Sequence, residues 1–122
     1  MVRPVRRRAD ASAWAVDAVA VILFAAVGRI SHGEGLTLNG LIDTAGPFLG
    51  GVLVAWLVID WQRWEPYAWR TGILVLACVI VVGMVLRSLL GQGVQPSFVV
   101  VATLVLALLL LGWRLVARRR EA

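Results

Sequence analysis

GILVLACVIVVGMVLRSLL, residues 72–90, decides the fold. The run carries a single charge, Arg87, close to its end. A helix needs about 20 mostly apolar residues to cross a hydrocarbon layer roughly 30 Å thick. Three more runs of the same kind, residues 11–30, 41–59 and 97–115, fill most of the remaining chain. Of the 122 residues 61% are hydrophobic, and the mean hydropathy is +0.88. The sequence therefore predicts an all-α fold, a polytopic transmembrane four-helix bundle of two tandem helical hairpins. A basic segment (1–10) precedes the membrane domain (11–116), and a short basic tail (117–122) follows it. No stretch outside the spans is long enough for a soluble domain.

The formal charge is +5 and the isoelectric point is near 11.3. In a soluble protein that balance points to nucleic acid. Here all twelve positive charges are arginines, and most sit at span ends. Anionic lipid headgroups are the expected partners there. Nucleic acid is not, because base readout needs a soluble reading element. The N-terminal arginines before an apolar run look like a signal peptide. However, Asp17 interrupts the run, and Gly28-Arg29 follows it instead of a small-residue cleavage site, so an uncleaved first helix is expected. Cys78, the single cysteine, lies mid-span and suits packing.

Charge placement sets an orientation. Arg3, Arg6, Arg7 and Arg8 precede span one, Arg63 and Arg70 lie between spans two and three, and Arg114, Arg118, Arg119 and Arg120 border the end of span four. The opposite face holds only Arg29 and Arg87. The positive-inside rule then puts both termini and the central loop in the cytoplasm, the N-in/C-in arrangement of a cytoplasmic (inner) membrane protein. Trp14, Trp56, Trp61, Trp64, Trp69 and Trp113 fall at the same ends, as an interfacial belt would. Within the central loop, Trp61, Trp64, Tyr67 and Trp69 are of the types that dominate interface hot spots, so a docking surface is an alternative to simple anchoring.

The halves partly repeat. A shift of 58 residues lays Arg29, Gly33 and Gly35 onto Arg87, Gly91 and Gly93, together with three valine or isoleucine matches. Two hairpins of like orientation would make a parallel internal repeat about an axis along the membrane normal. Locally, each glycine pair suits a helix C-cap, and an arginine one turn earlier suits the negative end of the helix dipole.

An ionisable residue inside a span is costly and marks a candidate site. Asp17 lies about nine residues past Arg8, roughly 13 Å deeper at 1.5 Å per residue. It suits either a structural pair with Arg70 or Arg114, or a proton or substrate site. Asp43 lies in the outer part of span two, within reach of an ion pair with Arg29 or Arg87. Arg29, His32 and Arg87 could instead hold an anion or a lipid headgroup. In span two, Gly46, Pro47, Gly50 and Gly51 permit either close helix packing or a broken helix lining a path. No G-x-S-x-G, H-E-x-x-H or P-loop motif occurs, and one histidine with one cysteine does not make a tetrahedral zinc site. Neither enzymatic activity nor a cofactor or metal is expected.

Val16-Asp17-Ala-Val-Ala-Val, Gly28-Arg29, His32-Gly33-Glu34-Gly35, Arg70-Thr71-Gly72, Gly83-Met84-Val-Leu-Arg87 and Gly91-Gln-Gly93 together resemble a family of small four-helix bacterial membrane proteins catalogued as a domain of unknown function. The resemblance spans roughly residues 12–116 and implies a four-helix fold unit without an activity. The expected function is a subunit or assembly factor of a larger membrane complex, with a membrane-protein partner. The alternative is a small oligomeric transporter or a lipid- or anion-handling protein, working as a homo-oligomer.

Overall fold

The computed structural model describes the backbone of residues 4–121 and the side chains of residues 12–119. Arg3, Arg6, Arg7, Arg8 and Arg120, which carry much of the charge asymmetry, lie outside the described side chains. Four helices follow one another: α1 (Pro4–Ser31), α2 (Leu38–Gln62), α3 (Trp69–Leu89) and α4 (Pro96–Glu121). Each contains a segment long and apolar enough to cross a bilayer. The chain has the architecture of a multi-pass membrane protein.

Turn chemistry sets the helix boundaries. α1 ends with Gly33 in the left-handed conformation at φ 69°. The Glu34 amide donates to the Arg29 carbonyl at 2.9 Å, and the Gly33 amide to the Ile30 carbonyl at 3.1 Å. That pair of bonds is a Schellman motif, which satisfies carbonyls the helix leaves open. α3 ends the same way. Gly91 has φ 78°, Gln92 donates to Arg87 at 2.8 Å, and Gly91 donates to Ser88 at 3.1 Å. α2 also ends on a left-handed residue, Arg63 at φ 58°, with the Arg63 and Trp64 amides both donating to the Ile59 carbonyl. Thr37 caps the start of α2 by accepting from the Gly40 amide at 3.0 Å. Proline at the first position of α4 costs no intrahelical donor.

The helices run antiparallel in sequence order around a ring. α2 and α3 pack most extensively, α1 and α4 least. In lipid, helices gain little from apolar burial against each other, so close packing has to hold the bundle together. Gly51 supplies the closest approach, because a Cβ there would stand 2.5 Å from the Val79 Cα and 2.7 Å from the Cys78 carbonyl. Gly83 likewise makes room for the Phe48 ring. Phe24 and Phe48 meet edge to face at 5.4 Å, and Phe98 completes an aromatic core near one end of the bundle. α2 runs unbroken through Pro47, so it does not line a path as a broken helix. Gly46 has open space around it, while Gly50 faces Leu86.

Candidate functional site

Two clusters of polar side chains occupy opposite ends of the bundle. The first surrounds Asp17, which is fully buried on α1. Arg114 on α4 meets it with two parallel bonds, Nη1 to Oδ1 and Nη2 to Oδ2, both 2.8 Å. Two indoles complete the shell: Trp56 Nε1 donates to Oδ2 at 2.9 Å and Trp113 Nε1 to Oδ1 at 2.8 Å. Each carboxylate oxygen thus accepts two bonds. Arg114, also fully buried, donates from Nε to the Pro66 carbonyl at 2.9 Å and from Nη1 to the Leu110 carbonyl at 3.1 Å. Gly72 on α3 leaves the room this guanidinium needs, since a Cβ there would lie 3.0 Å from the Arg114 Cδ. All four helices and the α2–α3 loop therefore contribute to one ion pair. In lipid the bidentate geometry and the two extra donors offset what burying both charges costs.

The α2–α3 loop is itself tied down. Thr71 Oγ1 donates to the Glu65 carbonyl at 2.6 Å, and the Tyr67 amide donates to the Glu65 carboxylate at 2.9 Å. Tyr67 packs edge to face on Trp113 with centroids 5.6 Å apart. Arg70 lies over Trp64 at 4.3 Å, and among the described residues Arg114 is the arginine that pairs with Asp17. The proposed docking quartet divides accordingly. Trp61 and Trp69 are exposed, whereas Trp64 and Tyr67 are half-buried against the bundle.

The tryptophan belt needs a correction. Trp56 and Trp113 point their N–H groups inward to Asp17 rather than to a headgroup layer. Hydropathy fixes how deep a residue lies but not which way its helix is turned. The one available signal was that Trp56 sits a full turn inside Asp60, deeper than an anchoring indole requires.

At the other end, the two arginines of the repeated motif fold onto their own turns. Arg29 Nε donates to the Gly35 carbonyl at 2.8 Å, and Arg87 Nε donates to the Gly93 carbonyl at 3.0 Å, the same offset in each hairpin. Arg29 also reaches the Glu34 carbonyl at 3.0 Å, Thr44 Oγ1 at 3.1 Å and, more loosely, the Glu34 carboxylate at 3.6 Å. Arg87 binds Gln92 Oε1 at 3.1 Å and lies over the Phe98 ring at 4.4 Å. Asp43 is exposed and makes no ion pair among the described residues; its backbone carbonyl instead accepts from Gln92 Nε2 at 3.3 Å.

Between α1 and α4, beside Arg87, lies a cleft of about 350 Å³. Phe24, Ala25, Phe98 and Val101 line its apolar part, and His32, Glu34, Arg87, Gln95 and Ser97 its polar part. Of the three residues read as an anion or lipid site, His32 and Arg87 meet at this cleft. Arg29 is held at its turn.

The same chain order carries a family pattern over residues 14–117. The chain belongs to the DUF3054 family, described as a protein of unknown function. The family match takes in all four helices of this DUF3054 chain, the Asp17 cluster and both arginine turns. No curated protein and no solved structure matches it. Among the described residues no three histidine, cysteine, aspartate or glutamate side chains gather as metal ligands would.

Proposed function

We propose that this DUF3054 protein is a small integral subunit or accessory factor of a larger membrane complex, and that it acts by binding rather than by catalysis. The observation that carries the reading is the saturation of Asp17. A proton or substrate site needs a group that can exchange partners. Here both carboxylate oxygens are taken by fixed donors from α2 and α4. That weighs against the rival reading, an oligomeric transporter built on Asp17. The bundle around the pair has the properties of a rigid scaffold, and the exposed Trp61 and Trp69 beside it are the residue types that anchor interfaces.

The orientation belongs to the same proposal. Both termini and the Trp61–Trp69 loop face the cytoplasm from a plasma membrane, and the arginine turns face outward. The matched hydrogen bonds of the two turns support a parallel repeat of two hairpins. The test is purification of the tagged chain from its native membrane in a gentle detergent, with mass spectrometry of the intact assembly. A stoichiometric foreign membrane protein, released by Trp61→Ala with Trp69→Ala while the bundle stays folded, is the expected result. A homo-oligomer with no foreign partner would overturn the subunit reading.

A further inference from the structure

The 58-residue shift has a structural corollary. It pairs the α2–α3 seam with the α4–α1 seam, yet one is the tightest in the bundle and the other the loosest. Close approach through a glycine belongs to the tight seam. Gly51, where α2 meets the α3 backbone at Val79, corresponds to Leu109 on α4, and Val79 corresponds to Val21 on α1. At the matched register position α4 thus carries a leucine where α2 has glycine. The cleft beside Arg87 lies in this open seam.

Its chemistry is divided along its length. From His32 to Phe24 it follows about two turns of α1, roughly 12 Å at 1.5 Å per residue. The inner part is apolar and ends on the Phe24–Phe98 pair. The polar part holds Arg87, which closes no salt bridge among the described residues although the Glu34 carboxylate lines the same cleft. Glu34 pairs with Arg29, whereas Arg87 donates its hydrogen bonds to carbonyl and amide oxygens, at Gly93 and Gln92, and lies over the Phe98 ring. Of the five N–H groups of a guanidinium, three are used, leaving two without a partner among the described residues. A guanidinium at the last turn of a membrane-length helix, with free donors above an apolar slot, matches a phosphate with an acyl chain below it.

We propose that the α1–α4 cleft seats a membrane phospholipid, with its phosphate on Arg87 and the upper part of one acyl chain against Phe24, Phe98 and Val101. A volume near 350 Å³ is at the small end for ligand sites, about 300–1,000 Å³, so it takes part of one chain and leaves the rest of the lipid in the bilayer. This assignment requires only that the helices span a membrane, and it holds whether or not a protein partner exists.

The experiment is native mass spectrometry of the detergent-purified full chain titrated with phosphatidylglycerol, phosphatidylethanolamine or a double-chain ammonium lipid lacking phosphate. The wild-type chain should retain one molecule of either phospholipid through collisional activation and none of the ammonium lipid. Arg87→Gln should weaken retention roughly ten-fold, the scale of a lost charge-assisted contact. Val101→Trp, at an exposed position on the cleft wall, should block retention by filling the slot while the helical circular dichroism and its thermal transition stay unchanged. This second variant decides the matter if Arg87→Gln fails to fold. Equal lipid adducts on wild type and Val101→Trp would overturn the proposal, as would retention of the ammonium lipid or displacement of the phospholipid by excess inorganic phosphate.

Discussion

Asp17 and Arg114, 97 residues apart in sequence, close a two-pronged ion pair at 2.8 Å that ties the first helix to the last. The ring of four antiparallel helices has its loosest seam between these two helices. The pair therefore fastens one end of a seam that stands open as a cleft at the other end. Removing one partner leaves the other charge buried and alone, which costs about 3–5 kcal/mol in comparable pairs. Arg114→Leu should therefore lower stability by that order in a detergent unfolding titration, with α1–α4 separation read by cross-linking or spin labels. Unchanged separation would show that the pair does not hold the seam.

The indoles are the second set of donors to Asp17. Trp113→Phe keeps an aromatic ring beside Tyr67 and deletes the N–H, together with part of the indole's packing surface. Hydrogen bonds to charged groups contribute about 1.5–3 kcal/mol, and that is the expected loss in the same titration. Trp56→Phe should behave alike. A change of either residue that leaves stability intact but alters membrane partitioning would restore it to the interfacial belt.

How far the sequence could be read follows from these residues. Length and hydropathy define the four spans, because the bilayer imposes them. The glycines at 33 and 91 were legible as helix ends, since few other residues take a left-handed backbone there. Asp17 was legible as a costly intramembrane charge, suited to a pair with Arg70 or Arg114 or to a proton or substrate site, and the sequence did not choose between these. Arg70 and Arg114 both lie at neighbouring helix ends, and only the rotation of α4 about its axis brings Arg114 inward. The same rotational ambiguity put Trp56 and Trp113 in the belt. The looseness of the α1–α4 seam becomes visible only once the helices are packed.

Glycines in α2 should separate by environment. Gly51→Ala puts a methyl against the α3 backbone and should destabilise by about 1–3 kcal/mol, the usual range for overpacking. Gly46→Ala meets nothing within 4 Å and should stabilise by up to about 1 kcal/mol through helix propensity. Thermal unfolding of both variants, side by side, checks the α2–α3 contact.

Arg63 holds a left-handed conformation that costs a non-glycine residue about 1–2 kcal/mol. Arg63→Gly should recover part of this and raise the midpoint of unfolding. The same substitution removes a charge from the central loop, so the orientation must be checked in parallel.

Orientation has its own test. With Cys78 replaced by serine, a single cysteine introduced at His32 should react with an impermeant maleimide added outside intact cells. One introduced at Trp61 should react only after permeabilisation. The reverse pattern would invert the proposed topology and move the tryptophan surface outside.

The most direct test of the central claim, that Asp17 is consumed in a structural pair, is a double-mutant cycle. Asp17→Asn strands a buried guanidinium, Arg114→Gln strands a buried carboxylate, and the double variant strands neither charge. Unfolding free energies of the four proteins should give a coupling of about 2–3 kcal/mol, at the upper end for residues in direct contact. A coupling near zero, with Asp17→Asn as stable as wild type, would contradict the account and return Asp17 to the list of groups free to act.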